Sequence, residues 1–178
     1  LDLSEGSEKA TYGGYLNLRR FDLAAWTGDS NFGKTTFRFN IDENSTGLTL
    51  PTIKAKLEGT IDTFVFKGYT YRNIVTKGTF KEKIFDGTVG VKDPNIDFFF
   101  DGTINMRDSV PQFLFAANVN RVDMGALHLV DEDWVLSCKI DQIKLSAREW
   151  RDLTGQAKIR NFLLIQDNYT RHKLDSIT

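Results

Sequence analysis

Apolar residues recur at every second position along most of this chain, and that regularity restricts it to β-structure. Successive strand side chains point to opposite faces, so a period of two gathers the apolar ones on one face. In the segment 36–42 the apolar set is Phe37, Phe39 and Ile41. Ile53, Ala55, Leu57, Gly59 and Ile61 alternate with Lys54, Lys56, Glu58 and Thr60. Phe85, Gly87, Val89 and Val91 follow the same rule, as do Ile96, Phe98, Phe100, Gly102, Ile104 and Met106. Phe113, Phe115, Ala117 and Val119 continue it, and Trp134, Leu136, Cys138 and Ile140 close the series. Strands are thereby predicted near 36–41, 53–61, 85–91, 96–106, 113–119 and 134–140. The 14 Phe, set against 2 Met and 3 Pro, fit this, because aromatic side chains suit a pleated, half-buried surface.

Clean alternation favours antiparallel pairing with one solvated face over a buried parallel sheet. Short turn-forming stretches separate the runs: 42–47 (DENSTG), Asp93-Pro94-Asn95 and Arg107-Asp108-Ser109. Connections this short predict an all-β antiparallel meander. The best helix signal is Ser146-Ala147-Arg148-Glu149, which fits a capping box, with room for a turn or two before Gly155; a strand fits there equally well. Two repetitions stand out. Gly-Thr-apolar occurs at Gly59-Thr60-Ile61, Gly78-Thr79-Phe80, Gly87-Thr88-Val89 and Gly102-Thr103-Ile104. It is either chance in a Thr-rich β protein or a place where the sheet needs close approach or bending. The run 20–26 (RFDLAAW) matches 121–127 (RVDMGAL), which predicts a long repeat with copies at 15–115 and, truncated, 116–178. The whole of 1–178 is expected to be one β-repeat segment of a longer protein, since its last residues read as the start of another strand.

Chemistry is sparse. Net charge is −1 with no basic patch, which argues against a nucleic-acid partner. The two histidines, His128 and His172, are far apart and in no metal-ligand spacing. Cys138 is the only cysteine and alternates inward with Leu136 and Ile140, the pattern of a buried structural thiol. There is no nucleophile elbow, phosphate loop or dinucleotide fingerprint; Gly13-Gly14 is too short and lies in a strand. No catalytic residue, metal or cofactor is expected, and the chain is not expected to be an enzyme. Asn44-Ser45-Thr46 and Asn168-Tyr169-Thr170 match the glycosylation pattern, which matters only in a eukaryotic secretory setting. No apolar run approaches the roughly 20 residues of a membrane-spanning helix.

What remains is the apolar face. Residues 96–106 would extend over roughly 33 Å, more than the roughly 15 Å depth of one leaflet's hydrocarbon. Periodicity alone leaves two readings open: a packed core, or a floor that holds something apolar.

A family resemblance bears on that choice. The run 67–73 (KGYTYRN), then Phe85-Asp86-Gly87, Asp93-Pro94-Asn95, 100–104 (FDGTI), 111–115 (PQFLF), 121–129 and Asp152-Leu153-Thr154-Gly155 resemble the TamB family and its AsmA-like relatives, in order and from about Tyr12 onward. The resemblance implies a long sheet curled into an open, taco-like trough. It implies a periplasmic segment of the cell envelope, anchored in the inner membrane through a segment not in this chain. The implied partners are phospholipid or another apolar ligand and an outer-membrane β-barrel assembly protein. The lining would be Phe37, Phe39, Ile53, Leu57, Ile61, Phe85, Val89, Ile96, Phe98, Phe100, Ile104, Phe113, Phe115, Val119, Leu136 and Ile140. Two other classes stay open: a β-sandwich adhesion or carbohydrate-binding module with Tyr69, Tyr71 and Trp26 as its platform, and a closed-barrel carrier of a small apolar ligand.

Overall fold

The computed structural model describes residues 11–49, 51–146, 154–167 and 169–177. Ten strands and one short helix follow one another: β1 (Thr11–Asp22), α1 (Leu23–Thr27), β2 (Lys34–Thr46), β3 (Lys54–Phe66), β4 (Tyr69–Lys81), β5 (Ile84–Asp93), β6 (Ile96–Asn105), β7 (Gln112–Asp123), β8 (Trp134–Ser146), β9 (Thr154–Gln166) and β10 (Thr170–Ile177). They form a single ten-stranded sheet in sequence order, every neighbour antiparallel. The predicted all-β meander is present. The predicted curl is not: the sheet is neither closed nor strongly curled, and β1 and β10 are its two edges. The reason is topological. Each strand touches little beyond its sequence neighbours, so no strand-to-strand contact draws one side of the sheet towards the other. The absence of closure also removes the closed-barrel carrier.

One face is continuously apolar. A single row runs Leu18, Phe37, Ile61, Ile74, Val91, Phe98, Val119 and Cys138 from β1 to β8, each residue in register with the next. The opposite face carries exposed cross-strand ion pairs, among them Arg38–Asp62 at 2.7 Å and Lys77–Glu58 at 2.8 Å.

Just beyond that row the alternation slips. The apolar partner of Leu18 on β1 is Phe21, three residues on, and the same step separates Ile61 from Phe64, Tyr71 from Ile74, Val119 from Val122 and Ile159 from Phe162. A step of three on a strand reaches the opposite face unless a bulge absorbs one residue. Three of these strands use a left-handed residue for this: Arg20 (φ 54°), Asn73 (φ 53°) and Asn161 (φ 53°). Asparagine suits that conformation; arginine is the less usual occupant. β4 and β9 escaped prediction, and β1 was read as a strand only at Gly13-Gly14, because the slip breaks their period of two. Of the helix signal at 146–149, Ser146 ends β8, and 147–153 lie outside the described residues.

The Gly-Thr repeats have a spatial meaning. Gly78, Gly87 and Gly102 stand in register across β4, β5 and β6. A Cβ on Gly102 would lie 2.3 Å from the Leu114 carbonyl oxygen and 2.5 Å from Phe115 Cα. Aromatic rings cover this bare strip: Phe85 with Phe100 at 6.4 Å and Phe100 with Phe115 at 4.9 Å between centroids. Rings laid over glycines replace the apolar cover that the glycines lack. Of the four rings that β6 and β7 bring to the floor, Phe98 pairs with Val119 and Phe100 with Ala117, while Phe115 and Phe113 pair with Gly102 and Ile104. They share one floor but are offset along it.

The two matching runs sit at equivalent turns. Asp22 accepts a hydrogen bond from the Ala25 N–H at 3.0 Å, and Asp123 accepts one from the Ala126 N–H at 3.1 Å. Each caps the turn that follows, the N-cap role of a short acidic side chain. After β7 the turn folds over the apolar face. Leu127 is fully buried there, with Tyr71, Ile74 and Val91 around it. His128 Nδ1–H donates to the Lys67 carbonyl oxygen at 3.0 Å and ties this turn to the β3–β4 connection.

Candidate functional site: an apolar groove over β1 to β4

The apolar floor is covered unevenly. From β4 to β8 it is packed on itself. Tyr71, Ile74, Val91 and Leu127 form one buried cluster, with Val89, Ile96 and Phe98 against it. Ala117, Val119 and Cys138 form a second, with Phe98, Phe115 and Ile140 against it. Burial pushes the Cys138 thiol above its usual range, which suits an inert structural thiol.

Over β1 to β4 the floor is a groove of about 480 Å³. β1 contributes Tyr12, Leu16, Leu18 and Phe21, β2 contributes Thr35, Phe37, Phe39 and Ile41, and β3 contributes Ala55, Leu57, Ile61 and Phe64. Ile53 and Phe80 line one end. Two connections lean over it. α1 supplies Leu23 and Trp26, and the β2–β3 connection supplies Leu48. The Trp26 indole N–H donates to the Leu48 carbonyl oxygen at 3.4 Å, a long bond that straps one connection to the other. Edge-to-face contacts hold Phe21 between Trp26 (6.3 Å) and Phe37 (6.1 Å).

The polar atoms on this wall are turned to backbone. The Tyr12 hydroxyl donates to the Gly47 carbonyl at 2.7 Å, and the Thr35 hydroxyl to that of Thr63 at 2.8 Å. A groove of this size is within the roughly 300–1,000 Å³ of small-molecule sites, but those carry converging polar groups that orient the ligand. With its hydroxyl protons already bonded to backbone, this wall is suited to shielding hydrocarbon.

Of the sixteen expected lining residues, Phe37, Phe39, Ile53, Leu57 and Ile61 meet in the groove. Phe85, Phe100 and Phe115 form the ring row over the glycines. Val89, Ile96, Phe98, Val119 and Ile140 belong to the packed clusters. Ile104 is half-buried between Phe85 and Phe113, Phe113 is half-buried between Ile104 and Leu145, and Leu136 is half-buried between Val122 and Leu164. All lie on one sheet, but the last eleven stand outside the groove. Sequence reasoning missed the β1 residues, Trp26 and Leu48. Leu16 and Leu18 were a usable alternation, cut short by Arg19 and Arg20.

The proposed carbohydrate platform is not assembled. Tyr71 is buried, Tyr69 is half-buried with its hydroxyl donating to Asp93, and Trp26 belongs to the groove. Among the described residues no three His, Cys, Asp or Glu cluster as metal ligands, and no helix is long and apolar enough to cross a membrane. Comparison with known proteins leaves the site to its own geometry: no family model matches the sequence, and no curated protein or solved structure matches the chain.

Proposed function

We propose that this chain is a TamB-like segment of an envelope-spanning protein, whose open apolar sheet face shields lipid for transfer between membranes or supports outer-membrane protein assembly. The observation that supports this best is the unfilled apolar groove at one side of a floor that runs unbroken to β8. The mechanism is passive. Each Å² of apolar surface covered contributes about 25 cal/mol, so an acyl chain lying over Phe39 and Leu57 is favoured without any specific polar contact. A phospholipid lying here leaves its headgroup in water.

The test is a photo-crosslinking phenylalanine analogue at Phe39 in the purified protein mixed with phospholipid vesicles. Lipid adducts at Phe39, and their loss in the presence of excess fatty acid, are the expected outcome. Phe39→Asp should cost only about 1–2 kcal/mol of stability, since the site is half-buried and opens to water, yet carry markedly less co-purifying lipid. Absence of any lipid adduct, with the same lipid content in parent and variant, refutes the reading.

A further inference from the structure

We infer that the polar face of the sheet, opposite the apolar floor, carries a binding site for a flat, uncharged, β-linked oligosaccharide across β6 to β9. It stands apart from the groove, on the other side of the sheet.

The site is built on a row in register. Val75, Gly90, Phe99, Asn118 and Lys139 stand opposite one another from β4 to β8. Their chain neighbours Phe98, Val119 and Cys138 belong to the packed floor, so Phe99, Asn118 and Lys139 point the other way. Phe99 is 45% exposed there. Gly90 leaves its flank bare: a Cβ on that glycine would lie 3.7 Å from Phe99 Cδ2 and 3.0 Å from Val75 Cγ2. An exposed ring of this kind offers an electron-rich face to the C–H groups of a sugar ring.

Beyond Phe99 the row turns polar. A depression of about 300 Å³ is lined by Asn118, Asn120, Ser137, Lys139 and Asn161, over the backbone of the paired Val119 and Cys138. Two register shifts meet here, between Val119 and Val122 against β8 and between Ser137 and Lys139 against β9. Bulges bend strands and re-aim their side chains. Several polar side chains elsewhere on this face are already engaged: Arg38 with Asp62, Thr103 with Asp86 and Arg160 with Asp141. Asn73, left-handed like Asn161, donates its amide to the Lys92 carbonyl at 3.1 Å. In the depression only Asn120 is engaged, donating to Asp97 at 3.2 Å. Among the described residues the side chains of Asn118, Ser137, Lys139 and Asn161 make no hydrogen bond or salt bridge.

Free amides and a hydroxyl both donate and accept, as sugar hydroxyls do. Asp97 at the rim offsets the Lys139 ammonium, which suits a ligand without net charge. The sheet is not strongly curled, so the ligand must be extended and flat. From β6 to β9 is three strand spacings, roughly 14 Å, room for a short chain of rings. One ring lies against Phe99 while the hydroxyls of the next reach the amides.

The test is an NMR titration of the intact chain, labelled with nitrogen-15, using cellotetraose and maltotetraose. Both are glucose tetramers; the first is flat and the second curved. Cellotetraose should shift the side-chain amides of Asn118 and Asn161 at millimolar concentration, and maltotetraose should bind more weakly. Phe99→Ala should weaken binding roughly tenfold, the upper end of an aromatic contact, and Phe99→Trp should restore it. Asn161→Gly keeps a left-handed backbone while removing the amide, and should cost roughly fivefold. Phe99 and Asn161 are exposed, so thermal melts should stay close to the parent. Equal affinity for the two sugars, a Phe99→Ala titration like the parent's, or no shift with either sugar overturns the assignment. If inorganic phosphate moves the same resonances as strongly as cellotetraose, the depression is an anion site and the oligosaccharide assignment falls.

Discussion

Gly102 shows how one missing side chain sets the shape of the apolar floor. Its backbone lies so close to β7 that an added methyl would sit on the Leu114 carbonyl oxygen, at a φ of +155° that side chains resist. Gly102→Ala should cost about 1–3 kcal/mol, read as a lower urea midpoint. Gly90 is a fair control, because the nearest atoms to a Cβ there are Val75 Cγ2 at 3.0 Å and Phe99 Cδ2 at 3.7 Å, side chains on the open face. Tyr71 makes a second residue-scale case. Burial is the main cause that pushes its hydroxyl up to about 12, with Tyr69 and Asp93 adding repulsion. In the unfolded chain a tyrosine ionises near roughly 10. Between those values the folded protein keeps a proton that the unfolded chain releases. The stability linked to Tyr71 is therefore complete below about pH 10 and is lost as pH rises towards about 12. Denaturant melts across that window should show a falling stability in the parent and a flatter one in Tyr71→Phe.

At the scale of elements, the two capped turns and the slip line explain what the sequence could and could not reveal. Phe98 sits against both packed clusters, not in the groove. Phe98→Asp should therefore destabilise by at least about 3 kcal/mol, as an unpaired charge forced among apolar side chains, in contrast to Phe39→Asp. Comparing the two melts checks where the floor is sealed. Asp22→Ala should cost about 1 kcal/mol through the lost cap. It should also loosen α1, red-shifting Trp26 emission in a chain whose other tryptophans are replaced by phenylalanine. Strands with unbroken alternation, such as β5 and β6, were legible because each side chain announces its face. β4 and β9 were not, because Asn73 and Asn161 let the apolar face continue after a step of three. Ile143 was missed for the same reason: β8 gains a residue near Asp141, so Ile143 follows Ile140 on the floor. The groove was half legible. Its β2 and β3 wall came from alternation, while its roof is made of connections, whose reach over the sheet no local pattern encodes.

For the whole molecule, pairing only between sequence neighbours makes stability a sum of adjacent contacts, as in repeat proteins. Native-state hydrogen exchange should find the slowest amides in β4 to β7, flanked on both sides, and the fastest in β10, which is exposed almost throughout. The same arrangement fixes how the sheet answers a mechanical load. β1 and β10 lie at opposite edges, so a force pulling them apart runs across the strands and along the hydrogen bonds between them. The ladder then opens one bond at a time instead of shearing all at once. Force spectroscopy through residues in β1 and β10 should record a series of small, strand-sized yields at low force. A segment built this way would act under tension as an extensible ribbon, letting out length from its edges while the strands around Leu127 are the last to part.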